Sequence, residues 1–200
     1  MNLYTFAKNT IRIIGTVVWR LRAYGTENVP MSGPLLVACN HVSNLDPPLM
    51  GSCCPRQISY MAKKELFEIP ILGPAIAAVG AYPVDREGSA RAAIKRSLEV
   101  LDEGGCVGIF PEGGRNVDGD KEPRTGIALL ASLSKAPVVP ACIVGSGQAN
   151  RLHQIKVAFG KPLRLPQDRK ATREDLAKFT DDVMAAIGAL KESIDGNSQS

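Results

Sequence analysis

The sequence predicts an α/β fold: a layered domain with a largely parallel or mixed sheet flanked by helices, plus an N-terminal amphipathic helix. Three observations support this prediction. Short apolar runs bounded by Gly and Pro alternate with longer segments of helical periodicity. The 200 residues suffice for one domain with a sizeable core. Hydrophobic residues make up 44% of the chain and charged residues 22%, which is the composition of a folded protein and excludes a chain that is as a whole a disordered tail or linker.

The first predicted element is an amphipathic helix over residues 3–22. At about 100° per residue, one half is apolar and the other carries Lys8, Arg12, Thr16 and Arg20. Two interpretations stay open: the helix packs on its own domain, or it lies in a membrane interface. In the second case its apolar side faces the acyl chains of the membrane and its cationic side chains lie near anionic headgroups. Because Lys8 and Arg12 interrupt the apolar stretch and no small-residue cleavage site follows, we predict no signal peptide.

The rest of the chain alternates between predicted strands and helices. The strands are Leu35–Cys39, Ile58–Ala62, Val79–Val84, Cys106–Phe110, Val138–Val144 and Ile155–Phe159. Helical periodicity predicts helices over Ser89–Asp102 and Gly126–Ser134. Thr172 and Asp175 form a capping-box pattern ahead of an apolar series that ends at Ile194, which predicts one closing helix.

The predicted elements define the expected domain organisation. We expect a membrane-interface helix over residues 1–24, one domain over 25–195 and a disordered tail over 196–200. The longest run without a charged residue, Ile69–Val84, is punctuated by Pro and Gly and is too short to span a bilayer.

The charge and cysteine content narrow the class of protein. The formal charge of +4 suits an anionic lipid surface or a phosphorylated ligand and is too small to argue for nucleic acid, so we expect no nucleic-acid partner. The five cysteines include no CxxC pair and have apolar neighbours. They predict buried free thiols in a reducing compartment, and therefore a cytoplasmic protein.

The first candidate site is the segment Asn40–Pro48, directly after a predicted strand. His41 and Asp46 lie five residues apart, which on a helix separates their directions by about 140°, so the two side chains meet only if the backbone turns. The prolines after Asp46 favour such a turn. An imidazole with one nitrogen held by a carboxylate is a general base. Taken singly, Asp46 also suits a helix cap and His41 a satisfied, partly buried imidazole.

Three further segments lie at predicted strands or their ends. Phe110–Arg115 contains a glycine pair that allows N–H groups to converge on an anion, with Arg115 suited to phosphate; alternatively it is a tight turn. Gly80–Arg86 places a second arginine, Arg86, at the end of another predicted strand. Alternatively, this segment is a strand leading into a loop in which Asp85 and Arg86 form a surface pair. Val139–Ile143 carries no catalytic group and predicts core, or lining for an apolar chain. Strand ends are the usual ligand crevice of open α/β sheets.

Neither an enzyme nucleophile nor a metal site is predicted. The nucleophile motif Gly-x-Ser-x-Gly is absent. Cys39 lies two residues from His41, a spacing that on a strand only places both side chains on the same face. We therefore expect the base to take its proton from a substrate hydroxyl and not from an enzyme nucleophile. His153 is isolated and no Asp, Glu and His residues have ligand spacing. We therefore predict no metal and no cofactor.

In this order, the four segments resemble those of the glycerolipid acyltransferases, most closely the 1-acyl-sn-glycerol-3-phosphate (lysophosphatidic acid) acyltransferases. The resemblance spans roughly residues 25–165 and includes Ala62–Leu66. Two positions depart from the family pattern: Gly114 stands where Thr or Ser is usual, and Pro83 where a bulky apolar residue is common.

The resemblance implies a reaction and a set of site residues. An acyl group would move from an acyl thioester, acyl-CoA or acyl carrier protein, to the sn-2 hydroxyl of lysophosphatidic acid, giving phosphatidic acid for phospholipid biosynthesis. It implies His41 as the base and Asp46 as its orienting carboxylate. It implies an acceptor site formed by Lys63, Arg86, Glu112, Gly113, Gly114 and Arg115. Because the acceptor is a membrane lipid, we expect peripheral, monotopic attachment to the inner face of the cell membrane.

Three alternatives stay open. The acceptor is glycerol 3-phosphate, dihydroxyacetone phosphate or another lysolipid; the chain is a catalytically idle lipid-binding or membrane-remodelling module; or it is a zinc or thiol hydrolase. Intact His41 and Asp46 disfavour the idle module, and the missing ligand and nucleophile patterns disfavour the hydrolase.

Overall fold

The computed structural model describes residues 3–70, 72–78, 80–84, 90–166 and 169–195 of the chain. Its helices are α1 Leu3–Trp19, α2 Asp46–Cys53, α3 Lys64–Phe67, α4 Leu72–Ala78, α5 Ala90–Asp102, α6 Gly126–Ser134 and α7 Arg173–Asp195. Its strands are β1 Arg22–Tyr24, β2 Leu35–Cys39, β3 Ser59–Lys63, β4 Tyr82–Val84, β5 Cys106–Ile109, β6 Val138–Val144 and β7 Lys156–Phe159.

The strands pair in one sheet with the order β1-β7-β6-β2-β5-β3-β4. Strands β6, β2, β5, β3 and β4 run parallel, whereas β7 is antiparallel to β6 and β1 is parallel to β7. The predicted mixed, largely parallel sheet is therefore confirmed. The carboxyl ends of the five parallel strands meet at one edge, which we call the carboxyl edge.

Hydrophobic layers cover both faces of the sheet. Along β2, Leu35, Val37 and Cys39 join the layer beneath α1 and α2, while Leu36 and Ala38 join the layer beneath α5, α6 and α7. All five side chains are fully buried. A central strand covered on both faces must be apolar at every position, which is why this segment is a continuous hydrophobic run in the sequence.

The predicted elements match the structure closely in the middle of the chain. The bounds of β2, β6 and α6 agree with the prediction, and the other predicted elements differ at their ends by one to three residues. Residue 79 at the start of one predicted strand, residue 89 at the start of one predicted helix and the predicted tail 196–200 lie outside the described residues. Strand β1 was not predicted, because its three residues gain their strand character from pairing with β7.

Helix α1 ends three residues before the predicted position. Arg20 adopts a left-handed conformation with φ 48°, and the N–H of Leu21 donates to the carbonyl of Gly15. A left-handed residue directly after the last helical residue is a common way for a helix to end, and the hydrogen bond across six residues folds the chain back onto the last turns of α1. The chain then turns directly into β1, where the N–H of Arg22 donates to the carbonyl of Ile155.

Helix α1 packs on α2 through its basic side. Lys8 Nζ donates to the carbonyl oxygens of Cys54 and Pro55, and Arg12 donates to Cys53 Sγ. These two side chains follow the first interpretation, packing on the domain, because they bind the C-terminal end of α2, where positive charge is favourable.

The opposite side of α1 is apolar and open to solvent. Its exposed side chains are Leu3, Phe6, Ile13, Ile14, Val17 and Val18. We call this set the apolar face of α1; the exposed fraction of its members runs from 39% to 76%. None of the helices in the described ranges is long and apolar enough to cross a membrane.

The predicted capping box is present at the start of α7. The N–H of Thr172 donates to Asp175 Oδ2 at 2.8 Å, and the N–H of Asp175 donates to Thr172 Oγ1 at 3.2 Å. Arg169 also binds both carboxylate oxygens of Asp175. With the Thr172 hydrogen bonds, this arginine lowers the pKa of Asp175 to about 2. The box fixes the start of the helix that covers the second hydrophobic layer.

Two glycine substitutions should change stability in opposite directions. A Cβ at Gly108 would lie 2.3 Å from Tyr60 Cε1 and 2.7 Å from Ile58 Cγ2. We expect Gly108→Ala to lower the free energy of unfolding by about 1–3 kcal/mol through overpacking. Gly188 in α7 has no atom within 4 Å of such a Cβ, so Gly188→Ala should raise it by about 0.5–1 kcal/mol. Urea unfolding checks both values, and equal stability of the two variants would contradict the packing around Tyr60.

Candidate functional site

The candidate site lies at the carboxyl edge, where β2 and β5 end side by side. Ala38 of β2 pairs with Ile109 of β5, so the loops after the two strands begin next to each other. His41 and Glu112 both lie three residues beyond this pair. Parallel pairing thus joins two motifs that are about 70 residues apart in the sequence.

His41 and Asp46 are in direct contact. His41 Nδ1 lies 2.9 Å from Asp46 Oδ2, as expected from the turn in this segment. The His41 side chain is 14% exposed and that of Asp46 is fully buried. With Nδ1 facing the carboxylate, Nδ1 carries the proton and Nε2 is the accepting nitrogen. Nε2 makes no hydrogen bond to any described residue.

Asp46 is the first residue of α2 and not its cap. Leu45 occupies the cap position, and the Asp46 carboxylate turns back onto the preceding loop. Its Oδ2 accepts the N–H groups of Val42 and Ser43, each at 2.7 Å, in addition to His41 Nδ1. The capping alternative is therefore replaced by a loop-stabilising role, which closes the turn that joins the two motif residues.

An aromatic stack packs against one face of the His41 imidazole ring. The ring of His41 lies 4.2 Å from that of Phe110, with an interplanar angle of 25°. Phe110 in turn lies 6.0 Å from Tyr60 at 12°. Tyr60 is the side chain that meets Gly108, so the absence of a Cβ at Gly108 leaves room for the stack. Packing and the carboxylate together fix the ring plane of His41.

Asn40 extends the pairing of β2 with β6 beyond the last strand residue. Its Nδ2 donates to the carbonyl of Ile143 at 3.0 Å, and its Oδ1 accepts the N–H of Ile143 at 2.9 Å. The side-chain amide thus replaces a backbone peptide group. Sequence reasoning gave Asn40 no role, although a carboxamide directly after a buried strand is a usable signal for such a substitution.

The segment 112–116 binds the main chain of His41. Glu112 Oε2 accepts the N–H of His41 at 2.8 Å, and the N–H of Asn116 donates to the carbonyl of His41 at 2.6 Å. Asn116 Nδ2 also lies 3.3 Å from Glu112 Oε1. Glu112 is only 9% exposed. Asn116 was not identified from the sequence, because its contact uses the backbone N–H, for which no residue type is required.

Cations surround the glycine pair of the same loop. A Cβ at Gly113 would lie 2.8 Å from Arg124 Nε, and one at Gly114 would lie 3.7 Å from Lys121 Nζ. Gly113 has φ 69°, so glycine provides both the conformation and the space for the arginine. Sequence reasoning missed Lys121 and Arg124, because they lie in a polar loop with Asp118, Asp120 and Glu122.

The remaining predicted site residues lie at different places in the fold. Arg115 is exposed and directly precedes Asn116, which binds His41. Lys63 ends β3 at the carboxyl edge. Arg86 lies outside the described residues. The segment Val139–Ile143 is buried in the centre of β6, as the core interpretation predicts.

The five cysteines are free and buried, as predicted. Burial, aided by the nearby Asp46 carboxylate, raises the pKa of the Cys39 thiol well above its usual value. A thiolate at this position is disfavoured, so Cys39 is a poor nucleophile despite its proximity to His41. The described residues contain no group of three or more His, Cys, Asp and Glu side chains placed to share a metal ion.

Known proteins resemble this chain in sequence and in fold. Residues 20–144 match the family model described as Acyltransferase. A 1-acyl-sn-glycerol-3-phosphate acyltransferase of Bacillus subtilis is 33% identical over 198 residues, which cover 96% of this chain and 99% of that protein. One of Streptococcus pneumoniae is 26% identical over 200 residues, covering 94% and 73%. The crystal structure of the 1-acyl-sn-glycerophosphate (LPA) acyltransferase of Thermotoga maritima has a TM-score of 0.72 at 23% identity. It covers 92% of this chain, and this chain covers 78% of it.

Proposed function

This chain belongs to the acyltransferase family, and we propose that it acylates the sn-2 hydroxyl of 1-acyl-sn-glycerol 3-phosphate to give phosphatidic acid. The contact between His41 Nδ1 and Asp46 Oδ2 carries this proposal. It supplies an oriented base beside a loop rich in cations, which matches an alcohol acceptor that bears a phosphate.

In the proposed reaction, His41 Nε2 removes the proton of the acceptor hydroxyl as its oxygen attacks the thioester carbonyl carbon. A new C–O bond forms and the carbonyl becomes a tetrahedral oxyanion. The oxyanion then collapses, the C–S bond breaks, and the proton on the imidazolium passes to the departing thiolate. Asp46 keeps the proton on Nδ1 and stabilises the imidazolium that forms between the two steps.

We place the acceptor phosphate at the glycine pair of the loop 111–125. Arg115, Lys121 and Arg124 bring positive charge to this loop, and the backbone at Gly113 is open to close approach. Lys63, the last residue of β3, and Arg86 are included on the family pattern alone. Because Glu112 and Asn116 tie the loop to His41, a phosphate held there lies within one substrate length of the base.

The acyl donor is a thioester, and its carrier is the second part of the proposal. Acyl-CoA and acyl carrier protein present the same carbonyl and the same thiolate leaving group to His41. A thiol-release assay that crosses both donors with lysophosphatidic acid and glycerol 3-phosphate assigns donor and acceptor together. Thiol release with lysophosphatidic acid supports the proposal. Release only with glycerol 3-phosphate would identify glycerol 3-phosphate as the acceptor instead. No release with any donor and acceptor pair would favour an idle lipid-binding module.

Loss of the base should abolish turnover. We expect His41→Ala to lower thiol release with lysophosphatidic acid to a few percent of wild type or less, since general-base catalysis contributes about 10²–10⁴-fold. His153→Ala replaces the other histidine, which is exposed, and should retain activity. Substantial residual turnover in His41→Ala would remove His41 from the base position.

Loss of Arg115 should weaken acceptor binding. We expect Arg115→Ala to raise the KM for lysophosphatidic acid by roughly 10-fold to 150-fold, because it removes a charge-assisted contact of about 1.5–3 kcal/mol. Steady-state kinetics at saturating donor measure this. Arg164→Ala is the control, since exposed Arg164 follows Leu163, which pairs with Val138 at the opposite edge of the sheet. An unchanged KM in Arg115→Ala would exclude that arginine from the phosphate site.

We also propose that the apolar face of α1 binds the inner surface of the cell membrane. Six exposed apolar side chains on one helix face are unfavourable in water and gain free energy on entering the acyl boundary of a bilayer. Lys8 and Arg12 on the basic side of α1 are held against α2, whereas the apolar face is open to solvent. Attachment here gives the enzyme access to a lipid acceptor, with residues 1–24 as the attachment segment.

Charges on the apolar face should prevent membrane attachment. We expect the variant Phe6→Glu, Ile13→Glu and Val17→Glu to lose flotation with phosphatidylglycerol-containing liposomes, because three exposed apolar side chains become anionic. Leu133→Glu is the control, because Leu133 is 54% exposed on α6, on the other side of the sheet. Flotation of the triple variant at the wild-type level would refute the role of this face.

A further inference from the structure

The main chain of His41 is held as firmly as its side chain. The N–H of His41 donates to Glu112 Oε2 at 2.8 Å, and its carbonyl accepts the N–H of Asn116 at 2.6 Å. Both peptide groups are thus bound by one short segment of a neighbouring loop. Since χ angles start from the backbone, this segment determines where the imidazole is anchored, while Asp46 and Phe110 determine how it is turned.

Both oxygens of Glu112 already have protein partners. Oε2 binds the N–H of His41, and Oε1 lies 3.3 Å from Asn116 Nδ2. The Asn116 amide is held in turn by the N–H of Lys121, which donates to its Oδ1 at 3.2 Å. With 9% of its surface exposed, the carboxylate points into the protein and presents little of itself to a ligand.

We propose that Glu112, supported by Asn116, is a positioning residue that fixes the backbone of His41, and not a ligand of the acceptor. This differs from the acceptor-binding role that the family resemblance implies for Glu112. The inference rests on the proposed function in one respect, the role of His41 as the base.

A carboxylate suits this position better than an amide. It accepts hydrogen bonds at both oxygens, so it satisfies the backbone N–H of His41 and the Asn116 amide without competition. A glutamine of the same length still accepts from His41, but its NH₂ group then faces the NH₂ group of Asn116. Turning the Asn116 amide relieves that conflict and breaks its bond with the N–H of Lys121. Glutamine should therefore restore part of the function and alanine none.

The kinetic test separates positioning from binding. Glu112→Ala should lower kcat on the order of 10²-fold, because a displaced base loses alignment with the acceptor hydroxyl. The KM for lysophosphatidic acid should stay within about twofold of wild type, since no acceptor contact is removed. Glu112→Gln should recover part of the lost kcat. The control Glu103→Gln alters an exposed carboxylate ahead of the first residue of β5, at the opposite end of that strand from the site, and should change neither constant.

The second measurement needs no turnover. The chain has two histidines, His41 and His153, so the imidazole signals of the ¹⁵N-histidine-labelled full chain are assigned with one variant, His153→Ala. We expect Glu112→Gln to shift the ring signals of His41 without substrate and to leave those of exposed His153 unchanged. Unshifted His41 signals together with a raised KM and an unchanged kcat would overturn the proposal.

The two measurements also distinguish this inference from the proposed reaction. If the wild-type chain releases no thiol from any donor, the proposed function fails, and the His41 signals alone decide whether Glu112 holds its backbone. If wild type is active and Glu112→Gln leaves kcat, KM and the His41 signals unchanged, the positioning role fails while the reaction stands. Should Glu112→Ala not fold, the isosteric Glu112→Gln carries both measurements.

Discussion

One buried oxygen atom, Oδ2 of Asp46, holds the candidate site together. Three donors converge on it: the imidazole Nδ1 of His41 and the backbone N–H groups of Val42 and Ser43. The carboxylate has no solvent contact, and burying it without such donors would be costly. Its hydrogen bonds therefore close the loop, and the closed loop brings a histidine and an aspartate five residues apart into contact. The orientation of the His41 ring follows from these hydrogen bonds of the buried Asp46 carboxylate.

The parallel pairing of β2 with β5 supplies the second constraint. It places the end of β5 beside the histidine loop, so that Phe110 stacks on the imidazole and Glu112 binds its backbone N–H. A ring held by a neighbouring strand has few ways to move, because strands in the middle of a two-sided core are rigid. The same loop carries Arg115 and the glycine pair, so it links the residues that hold the His41 backbone to the groups proposed to bind the phosphate.

The polarity of α1 connects the fold to a lipid substrate. The carbonyl groups at the end of α2 need donors, and Lys8 provides one, while Arg12 donates to the Cys53 thiol at the same end of the helix. Because the basic side faces the domain, the apolar face of α1 is exposed to solvent and is free to contact a lipid surface. The proposed attachment through this face would keep the domain at the bilayer surface, where a lysophospholipid acceptor lies.

Six of the seven strands in the described residues, the closing helix and the two motifs of the site could be predicted from the sequence alone. Hydrophobic periodicity, Gly and Pro punctuation and capping residues act over short distances, so they are visible in the order of residues. Tertiary structure alone decided which side of α1 faces the domain, that β1 exists, and that Glu112 turns inward to the N–H of His41. These features depend on partners about 40 to 130 residues away and on backbone groups that every residue type carries. Local sequence patterns do not predict them, because backbone N–H and carbonyl groups are chemically alike along the chain and their partners are set only by the tertiary fold.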